Sequence, residues 1–369
     1  MPSEMENILV RSVNWLGDAV MSTPALLRLR EARPGARVTL LSPEKLAGLW
    51  ERQPFVDEVL TFSPVESVWQ VARRLRKKKF AVGLAFPNSI RSALELWLAG
   101  IPRRIGVARA GRSLLLTQTV PLRRGAVEMR KRSVRDIRQS IRKNGRIALL
   151  PRTAHHVHHY LHLVAALGAL PDLLPPRIEV SEETVAGVRG KFGLASAEGR
   201  PWFGLNPGAE YGPAKRWPAE RFVAAACALR EKTQCRWMVF GGPGDRALAE
   251  MIASDIARVT GEPPLNLAGK TSLRELAAVL KICGLVLTND SGPMHLAAAV
   301  GAPVTAIFGS TSPELTGPIF SACAQIVRGH APCAPCFRRE CPIDLRCLLG
   351  IETKQVVEAA LACFKVSPD

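Results

Sequence analysis

The chain is short of several things, and each shortage excludes something. No apolar run approaches the ~20 residues that a membrane-spanning helix needs. Residues 1–7 are polar and acidic, without a basic n-region or an apolar h-region, so no secretory leader is expected and the location reads as cytoplasmic. No G-x-G-x-x-G follows the first apolar run, so a dinucleotide is not implied. Acids are scarce in one long stretch. Residues 67–150 hold 21 Lys and Arg, among them Arg73, Arg74, Arg76, Lys77, Lys78 and Lys79, against Glu95, Glu128 and Asp136. The formal net charge of the whole chain is +18. Such a field attracts polyanions. An anionic membrane surface is one candidate, at ~1 kcal/mol per well-placed basic side chain. Nucleic acid is another, but no nucleic-acid module signature accompanies the charge, and no such partner is expected. A solvated charged face is the plainer reading.

What is present is globular. The chain has 369 residues, 47% hydrophobic and 22% charged, enough for two ordinary domains. Short β-rich runs alternate with helical patterns, the mark of βαβ units and parallel sheets. Strands are predicted over Ile8–Val13, Val38–Leu41, Glu58–Phe62, Ala81–Phe86 and Arg104–Val107, and helices over Ala19–Glu31, Val68–Lys77 and Ser89–Leu98. A further helix runs from His156 to Leu167 and stops at Gly168. Pro171, Pro175 and Pro176 then mark a linker. The pattern restarts with strands Phe203–Asn206, Arg236–Phe240, Val286–Thr288 and Val304–Phe308. Helices are predicted near Ala219–Glu231, Arg246–Ile256, Leu273–Lys281 and Met294–Val300. The fold class is α/β with two Rossmann-like domains facing a central cleft. The boundaries are 1–175, 176–350 and a last helical segment, 351–369. Arg124–Arg146 reads as a basic insertion, with Val134, Ile137 and Ile141 at helical spacing. It suits a membrane surface or an exposed loop.

The chemistry sits at strand ends. Leu285-Val286-Leu287 runs into Thr288-Asn289-Asp290-Ser291-Gly292-Pro293-Met294-His295, read as a strand, a polar turn and a helix start. A helix N-terminus presents unpaired N–H groups and partial positive charge, a site for phosphate. Ser291 and Gly292 suit a turn in which backbone approaches a ligand. Asp290 stands where doubly wound folds hold ligands, and His295 is one turn into the helix. A simple capped helix is the alternative. A second segment, Asn206-Pro207-Gly208-Ala209-Glu210-Tyr211-Gly212-Pro213-Ala214-Lys215-Arg216-Trp217-Pro218, follows the run Trp202–Leu205. A third is Ile8 to Val13 leading into Gly17-Asp18-Ala19-Val20, where Asp18 is either a functional carboxylate or a helix cap. Phe240-Gly241-Gly242-Pro243-Gly244-Asp245 is another glycine-bearing strand end.

These segments, in this order and separation, resemble glycosyltransferase family 9, the heptosyltransferases, most closely the type that uses ADP-heptose and lipopolysaccharide and is designated II. The resemblance spans roughly Ile8 to Leu361 and is weakest between Arg123 and Thr153. It implies a GT-B fold whose last helix, Glu352–Phe364, crosses back onto the first domain. It implies inverting transfer of heptose from ADP-L-glycero-D-manno-heptose to the lipopolysaccharide inner core, on a lipid A–Kdo/heptose glycolipid, in peripheral contact with the anionic inner membrane. Asp18 matches the base that takes the acceptor proton, and Lys215 the lysine at the phosphates or sugar. Gly17, Gly208, Ala209, Gly241, Gly242, Asp290, Ser291, Gly292, Met294 and His295 match positions that bind the donor. No cofactor is required by the family. A related transferase with another donor or acceptor is the first alternative, and a non-enzymatic polyanion-binding protein the second.

Two clusters stand outside this reading. Cys333, Cys336, Cys341 and Cys347 include one C-x₂-C pair suited to thiolate-bound Zn²⁺, but the whole spacing is not that of a paired zinc knuckle. Disulfides are disfavoured in a cytoplasmic chain. Cys227, Cys235, Cys283, Cys323 and Cys363 read as core residues. Five of seven histidines fall in His155-His156-Val157-His158-His159-Tyr160-Leu161-His162, read as an incidental, partly exposed cluster, with metal capture as the sharper alternative.

Overall fold

The computed structural model describes residues 6–365, apart from 110, 144–149, 195–199, 319 and 322. The chain forms two α/β units. The first comprises Met1–Ala126 and Thr153–Glu179, the second Val127–Arg152 and Val180–Asp369.

The first unit carries strands β1 (Asn7–Arg11), β2 (Arg37–Pro43), β3 (Glu58–Phe62), β4 (Val82–Ala85), β5 (Arg103–Val107) and β6 (Gln118–Val120). They form one sheet, ordered β3-β2-β1-β4-β5-β6 and parallel throughout. Ile8, Leu9 and Val10 have no exposed surface, as expected of a strand covered on both faces. The helices are α1 (Leu16–Met21), α2 (Thr23–Ala32), α3 (Ala47–Trp50), α4 (Val68–Arg76) and α5 (Ile90–Leu98). After these come α6 (Val134–Arg142), which belongs to the second unit, and α7 (Val157–Val164), which belongs to the first. A 3₁₀ turn carries α7 on to Gly168, which closes it in the left-handed conformation, φ 83°.

The helix predicted over Ala19–Glu31 is two helices. Pro24 has no N–H for the Val20 carbonyl, and the Thr23 hydroxyl donates to that carbonyl instead, at 2.8 Å. Ser22 donates to Ala19 O at 2.7 Å in the same way.

The second unit carries β7 (Trp202–Asn206), β8 (Arg236–Val239), β9 (Leu265–Asn266), β10 (Leu285–Asn289), β11 (Val304–Phe308) and β12 (Ala324–Arg328). The sheet order is β12-β11-β10-β7-β8-β9, again parallel. Its other helices are α8 (Glu182–Phe192), α9 (Ala219–Thr233), α10 (Arg246–Thr260), α11 (Leu273–Ile282), α12 (Gly292–Ala299), α13 (Pro313–Thr316), α14 (Arg346–Leu349) and α15 (Thr353–Lys365). A reciprocal cap between Ser272 and Glu275 starts α11, and left-handed Gly261 ends α10.

Two expectations about organisation change. The stretch 127–152 groups with the second unit, not with a continuous 1–175 domain, because α6 has an apolar stripe to bury. Ile137 is enclosed in the second core beside Cys333 and Cys336, and Ile141 packs against that core. Arg132 N–H donates to Cys336 O at 3.0 Å, and Arg338 to Arg132 O at 2.9 Å. Residues 124–131 are exposed and form neither helix nor strand, whereas α6 packs on the second core; residues 144–146 lie outside the described residues. The last helix, expected to cross back, belongs to the second unit. Val356, Val357, Ala360 and Cys363 of α15 are buried, and the helix packs on α9 and on β10–β12.

In each sheet the chain reverses its direction of growth beside its first strand, at β1/β4 and at β7/β10. Loops leaving the carboxyl ends of strands at such a switch point are where open α/β sheets bind ligands.

Candidate functional site

Asp18 stands at the first switch point. β1 ends on Arg11, whose guanidinium is buried, bonded to Glu95 Oε2 at 2.8 Å and laid over the Phe62 ring at 4.2 Å. Burial lowers its pKa, and the adjacent Glu95 opposes the shift. The chain then turns and enters α1. Gly17 and Asp18, expected as a turn before the helix, lie in its first turn. Asp18 is not a cap: Trp15 holds the N-cap position and no side chain caps the helix.

The Asp18 carboxylate meets α7 instead. The Tyr160 hydroxyl donates to it, and burial together with that carboxylate holds the phenol well above the usual tyrosine range. His156 stacks on the Tyr160 ring, with centroids 5.1 Å apart and planes 13° apart, and its Nδ1 is 3.7 Å from Asp18 Oδ1. His159 bonds the Phe86 backbone carbonyl, and burial, then His156 and His162, push its pKa down to about 3. His155 is 1% exposed. The histidine run is partly exposed, as expected: His155 is buried and His156, His158, His159 and His162 are half-buried, with His156 beside Asp18. The apolar face of Val157, Tyr160, Leu161 and Val164 turns inward and carries the neighbouring histidines with it.

The second switch point gathers most of the other candidates. Asn206, at the end of β7, donates from Nδ2 to Thr288 Oγ1 at 3.0 Å and to Ser291 Oγ at 2.9 Å. Asn289, at the end of β10, donates to Pro207 O at 2.7 Å and accepts from Trp217 N–H at 3.0 Å. These bonds tie the loops after β7 and β10 together. Lys215 Nζ lies 2.6 Å from Asp290 Oδ2, with side chains 14% and 3% exposed. Thr311 Oγ donates to the same oxygen at 2.5 Å. An ammonium has three N–H groups, so Asp290 leaves Lys215 with donors to spare.

Ser291 holds the N-cap position of α12 but makes no side-chain cap. Its hydroxyl accepts from Asn206 instead, and the helix start keeps its partial positive charge for an anion. His295, 8% exposed, lies in this helix. Met294 has no exposed surface, so its side chain is core and only its backbone lies at the helix start. Trp217 is a packing residue, buried, with its indole donating to Ile351 O at 3.2 Å.

The glycines have a nearer cause than a ligand. A Cβ on Gly208 would come within 2.6 Å of the Asp245 carboxylate, and one on Gly241 within 2.7 Å of Asp245 Cβ. Gly242 N–H donates to Asp245 Oδ2 at 3.0 Å. Arg216 lies 3.5 Å from Asp245 Oδ1 and donates to Ala209 O at 3.3 Å, so it closes this loop as well as carrying surface charge. Thr311 was missed by the sequence reading. Its signal was available: Phe308 is followed by Gly309-Ser310-Thr311-Ser312, a small polar run at a strand end like the others.

Cys333, Cys336, Cys341 and Cys347 line one small cavity with Ile137 and Ala214. All are free thiols. Burial and the three neighbouring sulfurs push Cys347 up to about 12. Among the described residues, no group of three or more His, Cys, Asp or Glu is placed to hold a metal ion.

Two doubly wound units, an aspartate after the first strand and an ion-paired lysine at an uncapped helix start define the class of transferases that handle nucleotide-activated groups on a GT-B scaffold. The family model for glycosyltransferase family 9 (heptosyltransferase) matches residues 127–346. Lipopolysaccharide heptosyltransferase 2 of Escherichia coli K12 is 31% identical over 336 residues, covering 87% of each chain. The solved structure of E. coli ADP-heptose lipopolysaccharide heptosyltransferase II superposes with a TM-score of 0.75 at 26% identity, covering 98% of this chain and 99% of that one. A family 9 glycosyltransferase from Veillonella parvula gives 0.77 at 25% identity, covering 100% and 99%. The chain belongs to glycosyltransferase family 9. It is an enzyme of the glycosyltransferase class, and the polyanion-binding alternative falls.

Proposed function

We propose that this protein transfers L-glycero-D-manno-heptose from ADP-heptose to the inner core of lipopolysaccharide, with inversion at the anomeric carbon. The observation that carries the reading is the Lys215–Asp290–Thr311 cluster beside the uncapped start of α12. The likeness to E. coli lipopolysaccharide heptosyltransferase 2 along most of the chain supports the choice of donor and acceptor.

The chemistry follows from the side chains. An acceptor hydroxyl gives its proton to Asp18 while its oxygen attacks the anomeric carbon. The bond from that carbon to the phosphate oxygen breaks, and the electron pair leaves with ADP. Charge grows on the departing diphosphate. The remaining Lys215 donors and the first-turn N–H groups of α12 stabilise it without reorganising, which is where preorganised electrostatics contribute most. Lys215 fills the place that a divalent cation takes in other phosphate chemistry, so the reading requires no resident cofactor.

The acceptor is a lipid A–Kdo/heptose glycolipid at the cytoplasmic face of the inner membrane, and contact with that surface is peripheral. No helix among the described residues is long and apolar enough to cross a membrane. The first unit offers a suitable surface. Val65 and Trp69 are 91% and 69% exposed at the start of α4, and Arg73, Lys77 and Lys79 are exposed along and after it. Mass spectrometry of heptose-deficient lipopolysaccharide incubated with ADP-heptose and the protein tests the reading. A gain of one heptose supports it. No gain, beside a gain with another nucleotide sugar, replaces the donor.

A further inference from the structure

The contact between Asp18 and α7 has a consequence for the reaction, and it rests on the reading of Asp18 as base. We propose that Tyr160 is a positioning residue: its hydroxyl grips one carboxylate oxygen of Asp18 and leaves the other for the acceptor hydroxyl.

Asp18 needs such a grip. It sits in the first turn of a six-residue helix, its side chain is 27% exposed, and no cap interaction fixes it. A carboxylate free to rotate presents either oxygen at varying reach, and a misplacement of about 1 Å costs on the order of 10²-fold in rate. Tyr160 is a fixed point. It is 2% exposed, its ring meets Phe86 at 5.3 Å on one side, and His156 stacks on it at 5.1 Å. The buried phenol stays protonated, so toward Asp18 it can only donate. A hydrogen bond given to a carboxylate favours its charged form, the form a base needs.

Tyr160 and His156, both from α7, are ionisable groups that face this carboxylate. His159, next to them, is neutral across the working pH range, with its pKa near 3, and adds no charge. The position is specific to the fold. Tyr160 lies far along the chain from Asp18, and α7 reaches it by packing on α2, the helix that follows α1. A buried phenol that merely satisfied its own hydroxyl would make the same hydrogen bond but would leave catalysis indifferent to its loss.

Tyr160→Phe keeps the ring, its stacking and its packing, and removes only the donor. We expect kcat for acceptor-dependent ADP release to fall about 10- to 100-fold, with KM for donor and acceptor within about twofold of wild type. Wild-type kcat in Tyr160→Phe overturns the proposal. A second measurement needs no substrate. The chain has two tyrosines, so in a Tyr211→Phe background the tyrosine Raman doublet reports Tyr160 alone. It should show a strong donor, and the added change Asp18→Ala should abolish that signature. A doublet indifferent to Asp18 overturns the contact itself. Failure of the heptose reading appears separately: the doublet of the Tyr211→Phe protein responds to Asp18→Ala, yet wild type releases no ADP from ADP-heptose.

Discussion

Lys215→Ala separates what the lysine does for the fold from what it does for the reaction. The substitution strands the Asp290 carboxylate, which is 3% exposed, without its cation. Removing one member of a buried ion pair costs about 3–5 kcal/mol. Two features reduce that here. Thr311 still donates to Asp290, and the adjacent start of α12 favours negative charge by about 0.3–1 kcal/mol. We therefore expect a loss of about 2–4 kcal/mol, read as a lower midpoint of urea unfolding at pH 7.5. Adding Asp290→Asn removes the stranded charge and should return most of that loss. Turnover should behave differently. Losing a preorganised donor at the departing diphosphate costs about 10²- to 10³-fold in kcat/KM. That loss should persist in the double variant, since no cation replaces Lys215. Unchanged stability of Lys215→Ala would refute the buried pair. Recovery of turnover in the double variant would refute a role for Lys215 at the phosphates and leave it as a support for Asp290.

Other expectations follow from the same geometry. Thr311→Val removes a hydrogen bond to a buried carboxylate and should cost about 1.5–3 kcal/mol, with Thr311→Ser restoring most of it; calorimetric melting curves check this. Gly208→Ala puts a methyl group against an Asp245 carboxylate held by Gly242 N–H, so calorimetric melting should show about 1–3 kcal/mol of overpacking strain. Wild-type stability in that variant would show that the loop yields freely. His159 gives a pH signature. Its folded pKa, near 3, lies below the ordinary 6.5, so the unfolded chain binds a proton that the folded chain refuses. Stability from this group is whole above pH 6.5 and is lost as pH falls from there toward 3. Between pH 7.5 and 5.5 the loss is at most about 1.4 kcal/mol, and His159→Gln should flatten the urea-unfolding midpoints by that amount. Equal pH slopes in the two proteins would contradict the burial of this imidazole.

Much of this was legible in the sequence because it is local. Continuous apolar runs such as Leu285-Val286-Leu287 announce strands buried on both faces, and the polar residues after them mark strand ends. Glu58–Phe62 and Val304–Phe308 were read to the residue. The remainder depends on contacts between distant residues. The break at Ser22 follows from Pro24, which leaves the Val20 carbonyl without its helical donor and open to the Thr23 hydroxyl. The place of α6 depended on the cavity of thiols that accepts Ile137, far away in sequence. The histidine run was read as partly exposed, which it is, but its polar residues hide which face of α7 turns inward. Tyr160 was the sign, spaced with Val157, Leu161 and Val164 at helical period. At Gly208 and Gly241 an added Cβ would meet Asp245, a neighbour that the sequence does not reveal. Sequence shows that a side chain is missing, not what fills the space.

The most direct test of the central claim is acceptor-dependent ADP release from ADP-heptose, with heptose-deficient lipopolysaccharide and without it, by wild type beside Asp18→Ala. The account requires release by wild type that depends on the acceptor, and loss of at least about 10²-fold in Asp18→Ala with ADP binding intact. Equal release by the two proteins would contradict the assignment of Asp18 as the base. Absence of release by wild type that still binds ADP would contradict the assignment of heptose as the transferred sugar.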